Sequence, residues 1–192
     1  TKPASLLASD DGGVTWTVVD ALTEHPSAKD WTPGGAGLVL HTIVVDPDDP
    51  DKLWIGISAA GVFASKDGGV TWERRNDVAA EDDDPEDPAQ AQDAQVGHCV
   101  HNLVRAPGHG DVLYQQNHEG VWRSTDGGQT YSEPRPLPIE TIDDGFGFSD
   151  PDHAYALNAG LQADGTRRVT AYLSNDAGRT WSAVELGRLP AL

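Results

Sequence analysis

The sequence predicts an all-β chain, a β-propeller of four-stranded antiparallel blades with about three and a half blades present and a tight hairpin in each. Three observations predict it. The pattern Ser-x-Asp-x-Gly-x-Thr-aromatic recurs four times in register, at 9–16, 65–72, 124–131 and 174–181. The first residues of these boxes are 56, 59 and 50 positions apart, which suits a unit of four short strands plus one variable loop. Between the boxes, further turn-and-strand segments lie over one another.

The box itself reads as a hairpin. Asp11, Asp67, Asp126 and Asp176 can each turn a carboxylate back onto nearby backbone amides, and Gly13, Gly69, Gly128 and Gly178 can supply a positive φ. The Thr that follows restarts a strand. Trp16, Trp72, Tyr131 and Trp181 then give a thin blade a large side chain to bury against its neighbour. These residues are therefore expected to be structural.

Outside the box, 49–55 (DPDKLWI) resembles 150–156 (DPDHAYA), with Gly110-Asp111-Val112-Leu113-Tyr114 in the same slot between them. Each is a turn running into a strand. The segments 41–47 (HTIVVDP) and 101–107 (HNLVRAP) align as innermost strands, β-branched and closed by Pro. Gly61-Val62-Phe63 and Gly120-Val121-Trp122 open third strands. The expected layout is a partial blade at about 4–20, which has only its outer two strands, and blades at 40–77, 99–135 and 143–186. In the last, Gly145-Phe146-Gly147-Phe148-Ser149 meets Asp150-Pro151 with too few residues for the usual strand and turn, as though a few were missing.

A ring typically needs four to eight blades, so this length implies either a longer parent or a partner chain that completes it. The chain starts Thr-Lys-Pro, contains no Met and shows no signal peptide, so Thr1 is not expected to be the translated start. Thirty-one Asp and Glu against thirteen Lys and Arg give a net charge of −18, which repels phosphate backbones and argues against nucleic acid. One cysteine, Cys99, excludes an internal disulfide framework. No apolar run is long enough to span a bilayer. Nothing in the sequence fixes a location.

Function is expected on the face where blade-to-blade connections and the turns between second and third strands emerge, opposite the box hairpins. Three segments belong there: 20–41, 77–101, and the turn Gln115-Gln116-Asn117-His118-Glu119. The densest constellation is His98, Cys99 and His101 at the start of one inner strand, Gln115, Gln116, Asn117 and His118 on the next turn, and His41 at the equivalent start of the preceding blade. Three readings are open: structural hydrogen bonding, a polar ligand, or a soft or borderline metal such as zinc. The spacing fits no standard zinc pattern, so no metal or cofactor is expected.

Trp31 alone among six Trp has no repeat position; it either stacks on a sugar ring or plugs the space under its loop. Residues 77–97 carry eight acids and no base and read as a solvated acidic loop rather than a cation site. Glu119 and Asp30 lie on the expected face and are weak candidates for the two carboxylates a glycosidase requires.

The four boxes resemble those of the Asp-box, or BNR-repeat, β-propellers of the sialidase-like superfamily, over nearly the whole chain. The two complete blades look most like bacterial proteins named exo-α-sialidase or BNR-like repeat protein by similarity. That group includes sialidases, oligoxyloglucan-processing glycoside hydrolases, sortilin-type receptors and a photosystem assembly factor. The resemblance implies either a ligand-, glycan- or protein-binding scaffold or a glycoside hydrolase with part of its site elsewhere. A sialidase would need an Arg-Ile-Pro motif and a Tyr nucleophile. The motif is absent, and Tyr114, Tyr131, Tyr155 and Tyr172 all occupy repeat positions.

Overall fold

A computed structural model describes residues 3–31, 33, 37–58, 60–75, 100–117, 120–132, 146–150 and 152–190. Among the described residues the regular secondary structure is almost entirely β-strand. A first sheet pairs β1 (Leu7–Ala8) with β2 (Thr17–Val18). The second runs β3 (Leu40–Val45), β4 (Leu53–Ile57), β5 (Gly61–Ser65), β6 (Glu73–Arg74) in spatial order. The third has β7 (Asn102–Arg105), β8 (Leu113–Asn117) and β9 (Gly120–Ser124). The fourth has β10 (Phe146–Phe148), β11 (Ala154–Leu161), β12 (Arg167–Ser174) and β13 (Ser182–Leu189). Every pairing is antiparallel between sequence neighbours, as a meander of short turns requires.

The strand over which a few residues seemed to be missing forms with those present. Phe148 pairs with Ala154, and Ser149 N donates to His153 O at 3.0 Å across a turn of only 149–153. The corresponding turn of the second sheet, 46–52, is two residues longer and closes through Asp46 N to Lys52 O. The deficit falls in the turn, leaving the ladder intact.

All four boxes adopt one geometry. In the third, Ser124 Oγ donates to Asp126 Oδ1 at 2.8 Å and accepts from Gly128 N at 2.8 Å, while Thr130 Oγ1 donates to Asp126 Oδ2 at 2.6 Å. The same three bonds recur around Asp11, Asp67 and Asp176. Gly13, Gly69, Gly128 and Gly178 have φ between 80° and 91°. The preceding position is also left-handed, and in the last box Ala177 fills it at φ 59°.

Hydrogen bonds from Thr15 and Ser9 hold Asp11 at about 2, and those from Thr180 and Ser174 depress Asp176 further. Asp67 is lowered in the same way by Thr71 and Ser65. At Asp126 burial pushes upward, but the bonds from Thr130, Ser124 and Gln129 outweigh it.

One expectation about the box needs correction. Trp16 is 59% exposed and is not buried against a neighbouring blade, because a sheet of two two-residue strands offers it no covering face. Its indole lies over its own turn instead, with Nε1 donating to Gly13 O at 3.0 Å, as Trp72 Nε1 does to Gly69 O.

The core is three apolar layers, one between the second sheet and the segments around Ala4, Leu22 and Trp31 and two between successive sheets. The first gathers Leu22, Leu40, Ile55, Ile57, Phe63 and Trp72. Leu22 comes from a helical turn at Asp20–Thr23 inside the segment expected to be a loop. The second joins Trp54, Val62 and Ala64 to Val100, Leu103 and Leu113; the third joins Tyr114 and Val121 to Phe146 and Ala156. Strand periodicity explains the division, since Ile55 and Trp54 must point to opposite faces of one sheet. Burying a side chain of Trp54's size contributes on the order of 3 kcal/mol.

Candidate functional site

The innermost strands β3, β7 and β10 lie side by side and enclose a shallow groove of about 560 Å³. Thr42, Asn102, Arg105 and Tyr155 supply its polar groups, while Ile43, Val45 and Phe148 supply apolar surface. Gly147 shapes one wall: Tyr155 passes so close to it that a Cβ there would sit 2.6 Å from the phenol oxygen. Arg105 is fixed by an ion pair with buried Asp46 of the second sheet at 3.2 Å and by Nε donation to Gly110 O at 3.3 Å. No carboxylate is among the described residues lining the groove. Such a surface can hydrogen-bond and pack a neutral polar ligand. Among the described residues it offers no pair of carboxylates of the kind that glycoside cleavage uses.

The sequence-predicted residues are only partly brought together. His41 lies exposed on β3, its pKa lowered by partial desolvation, and His101 is half-buried just before β7, its amide donating to Gln116 O. Gln115, Gln116 and Asn117 are not on a turn. They form the buried end of β8, where Gln115 pairs with Leu103 and Gln116 with Asn102. Asn117 Oδ1 accepts from the Trp122 indole at 2.9 Å. The apolar neighbours on either side of β8 draw the strand three residues past the point where polarity suggested it ends. His98, Cys99, His118 and Glu119, and the whole of 77–97, lie outside the described residues.

Trp31 is half-buried against the first core layer, edge-on to Phe63 at 5.2 Å, and its indole N–H donates to Ser27 Oγ at 3.0 Å. His25 meets the same Phe63 ring edge-on at 5.2 Å. These contacts are those of a side chain packed on the core, as one of the two readings open for Trp31 expects. Asp30 is exposed at the end of the 3-10 turn Ala28–Asp30 and is not among the described residues that line the groove. Among the described residues no three His, Cys, Asp or Glu gather as a metal site would need.

Sequence reasoning missed Arg105, Asp46 and Tyr155. The signal was available in the repeat: Arg105 stands where the preceding blade has Val45, and Asp46 where the following blade has Ala106. Two complementary departures at adjacent strand exits mark an inter-blade ion pair. Tyr155 was hidden because its repeat position is normally buried.

No family model matches the chain. Among curated proteins it is similar to the oligoxyloglucan-reducing end-specific xyloglucanase of Emericella nidulans, 24% identical over 212 residues, which cover 96% of this chain and 25% of that one. A xyloglucanase of Paenibacillus sp is 26% identical over 188 residues, covering 91% of this chain and 16% of that one. Among solved structures, YCF48 from Cyanidioschyzon merolae superposes with a TM-score of 0.53 at 23% identity, over 79% of this chain and 41% of that one. The GH74 xyloglucanase of Xanthomonas campestris gives 0.53 at 19%, over 96% of this chain and 28% of that one. The fold is a β-propeller. The chain spans about a quarter or less of the length of these xyloglucanases, and its four sheets are blades. No described helix is long and apolar enough to cross a membrane.

Proposed function

We propose that this chain is the glycan-binding part of an Asp-box propeller of the sialidase-like superfamily, of the bacterial type, with the groove across β3, β7 and β10 receiving a neutral oligosaccharide. The observation that carries this reading is the groove's lining: hydroxyl, amide and phenol groups and the Arg105 guanidinium, its charge paired with Asp46, beside apolar surface, with no carboxylate among the described lining residues. Similarity to xyloglucanases over nearly the whole chain supports a β-glucan as the oligosaccharide. His41, beside Thr42 on β3, and His101, beside Asn102 of β7, flank the groove, with His98 and His118 as further contacts. The ring is completed by blades beyond this segment or by a second chain. A segment of a partner protein is the other occupant of this face.

The second reading, a glycoside hydrolase with part of its site elsewhere, is favoured by the xyloglucanase names alone. Calorimetric titration with xyloglucan oligosaccharides, beside an assay of reducing-end release, separates the two. Binding without turnover, weakened by Tyr155→Ala, is expected. Turnover abolished by Glu119→Gln would overturn the binding reading in favour of the hydrolase.

A further inference from the structure

A second pocket, of about 290 Å³, lies between the second and third blades and shares no lining residue with the inner-strand groove. Its walls bring Lys52, Lys66 and Arg75 together with Asp111, Asp126 and the box turn at Gly127. Three of the chain's thirteen Lys and Arg thus converge on one site in a protein of net charge −18.

The repeat does not require any of them. At the position of Lys66 the other three boxes carry Asp10, Thr125 and Asn175; at that of Arg75 they have Val19, Pro134 and Val184; and at that of Lys52 the later blades have Val112 and His153. The junction therefore holds three cations that blade geometry leaves optional.

The local chemistry suits an incoming anion. Arg75 is more than nine-tenths buried, yet its Nε has no hydrogen-bond partner among the described residues. One of its terminal nitrogens meets Glu73 at 3.0 Å, a carboxylate that is itself largely exposed. Lys52 rests over the Trp54 ring, 5.1 Å from its centroid, and meets the mostly exposed Asp111 at 2.7 Å. Asp126 already accepts from Ser124, Gln129 and Thr130, so its charge is largely occupied. Glu73 and Asp111 are themselves largely exposed, so either carboxylate can turn back into water when an oxyanion takes its place beside the cation. A buried guanidinium with an unused donor is costly and favours such a partner.

We infer that this inter-blade pocket binds the anionic group of a small ligand of about monosaccharide size, with Arg75 and Lys66 as its principal contacts and Lys52 at its rim. The volume lies at the small end of ligand pockets and suits an acidic sugar or a phosphate. The inference is independent of the groove's role in neutral glycan binding.

The test is a titration of the full chain followed by amide NMR at constant ionic strength, with glucuronate, inorganic phosphate and, as the neutral control, glucose. Glucuronate or phosphate is expected to move the amides of 65–67 and 127–129, and glucose to leave them in place. Tighter binding of glucuronate than phosphate assigns the pocket to an acidic sugar; equal or tighter binding of phosphate assigns it to the oxyanion itself. Arg75→Gln is expected to weaken binding about tenfold or more, as loss of a charge-assisted bond does, and Lys66→Gln about threefold. Lys66 is exposed, so its variant tests the site even where Arg75→Gln lowers stability. No shift with either anion, equal shifts with glucose, or unchanged affinity in the Lys66 variant overturns the inference.

Discussion

The junction between the second and third blades and the outer face of the fourth are built from the same repeat, yet they behave as a core and a surface. Trp54, Tyr114 and Tyr155 occupy one repeat position, with exposures of 1%, 0% and 47%. Ile43 and Leu103 share another, at 55% and 0%. Trp54 is covered by Val100 and Leu103 and donates to Gly127 O of the next box at 3.1 Å, whereas Tyr155, Leu157, Leu173 and Val184 meet no following blade among the described residues. A repeat thus specifies an apolar position, and a neighbour turns it into core.

This contrast can be broken or sharpened by measurement. The largest effect is expected from Trp54→Ala, which should cost about 3–5 kcal/mol in chemical denaturation, against about 1 kcal/mol or less for Tyr155→Ala. Equal costs would mean that the fourth blade's outer face is covered in solution. Breaking the buried inter-blade ion pair by Asp46→Ala should cost about 3 kcal/mol, because Arg105 is left buried and uncompensated.

Two glycines then give a matched pair. A Cβ on Gly56 would lie 2.8 Å from Val100 of the next blade, so Gly56→Ala should cost about 1–3 kcal/mol, since packed β-branched atoms must move. A Cβ on Gly147 would lie 2.6 Å from the Tyr155 hydroxyl, but that ring has open space to swing into, and Gly147→Ala should cost less than about 1 kcal/mol while altering the groove. Ser124→Ala in a buried box should cost about 1–2 kcal/mol by stranding Gly128 N, and Ser9→Ala in the solvent-facing first box should cost much less.

The smallest effect concerns acid. Asp11 has a folded-state pKa of about 2, below the unfolded carboxylate value, so its contribution is complete above about pH 4 and disappears as pH falls toward 2. Asp67, Asp126 and Asp176 shift in the same direction and should add to the same acid-side loss. Melting temperatures measured from pH 5 to pH 2 should fall across this window, and a flat profile would remove the boxes as the source of acid sensitivity.

The fold was far more legible than the site. Ser, Asp, Gly and Thr at fixed spacing dictate a hairpin through bonds between residues at most four apart, so the box could be read without knowing what surrounds it. Gln115, Gln116 and Asn117 could not. Their polarity suggested a turn, but β7 and β9 on either side carry β8 onward and bury them. Trp31 had two readings that differ only in whether Phe63 and Ser27 come within reach, which the intervening chain does not reveal. The cationic junction was present in the sequence as three departures from the repeat, but Lys52, Lys66 and Arg75 share a pocket only because the third blade's box turn packs beside them.

By itself, then, the sequence determined the repeat, the four hairpins, the alternation of strand faces and the −18 charge, because each follows from local bonding or from composition. The tertiary structure decided which equivalent residues became core, which inner-strand groups line a groove and which cations share a pocket. The physical reason is that burial and convergence depend on what packs against a blade, and identical blades acquire different environments from their neighbours.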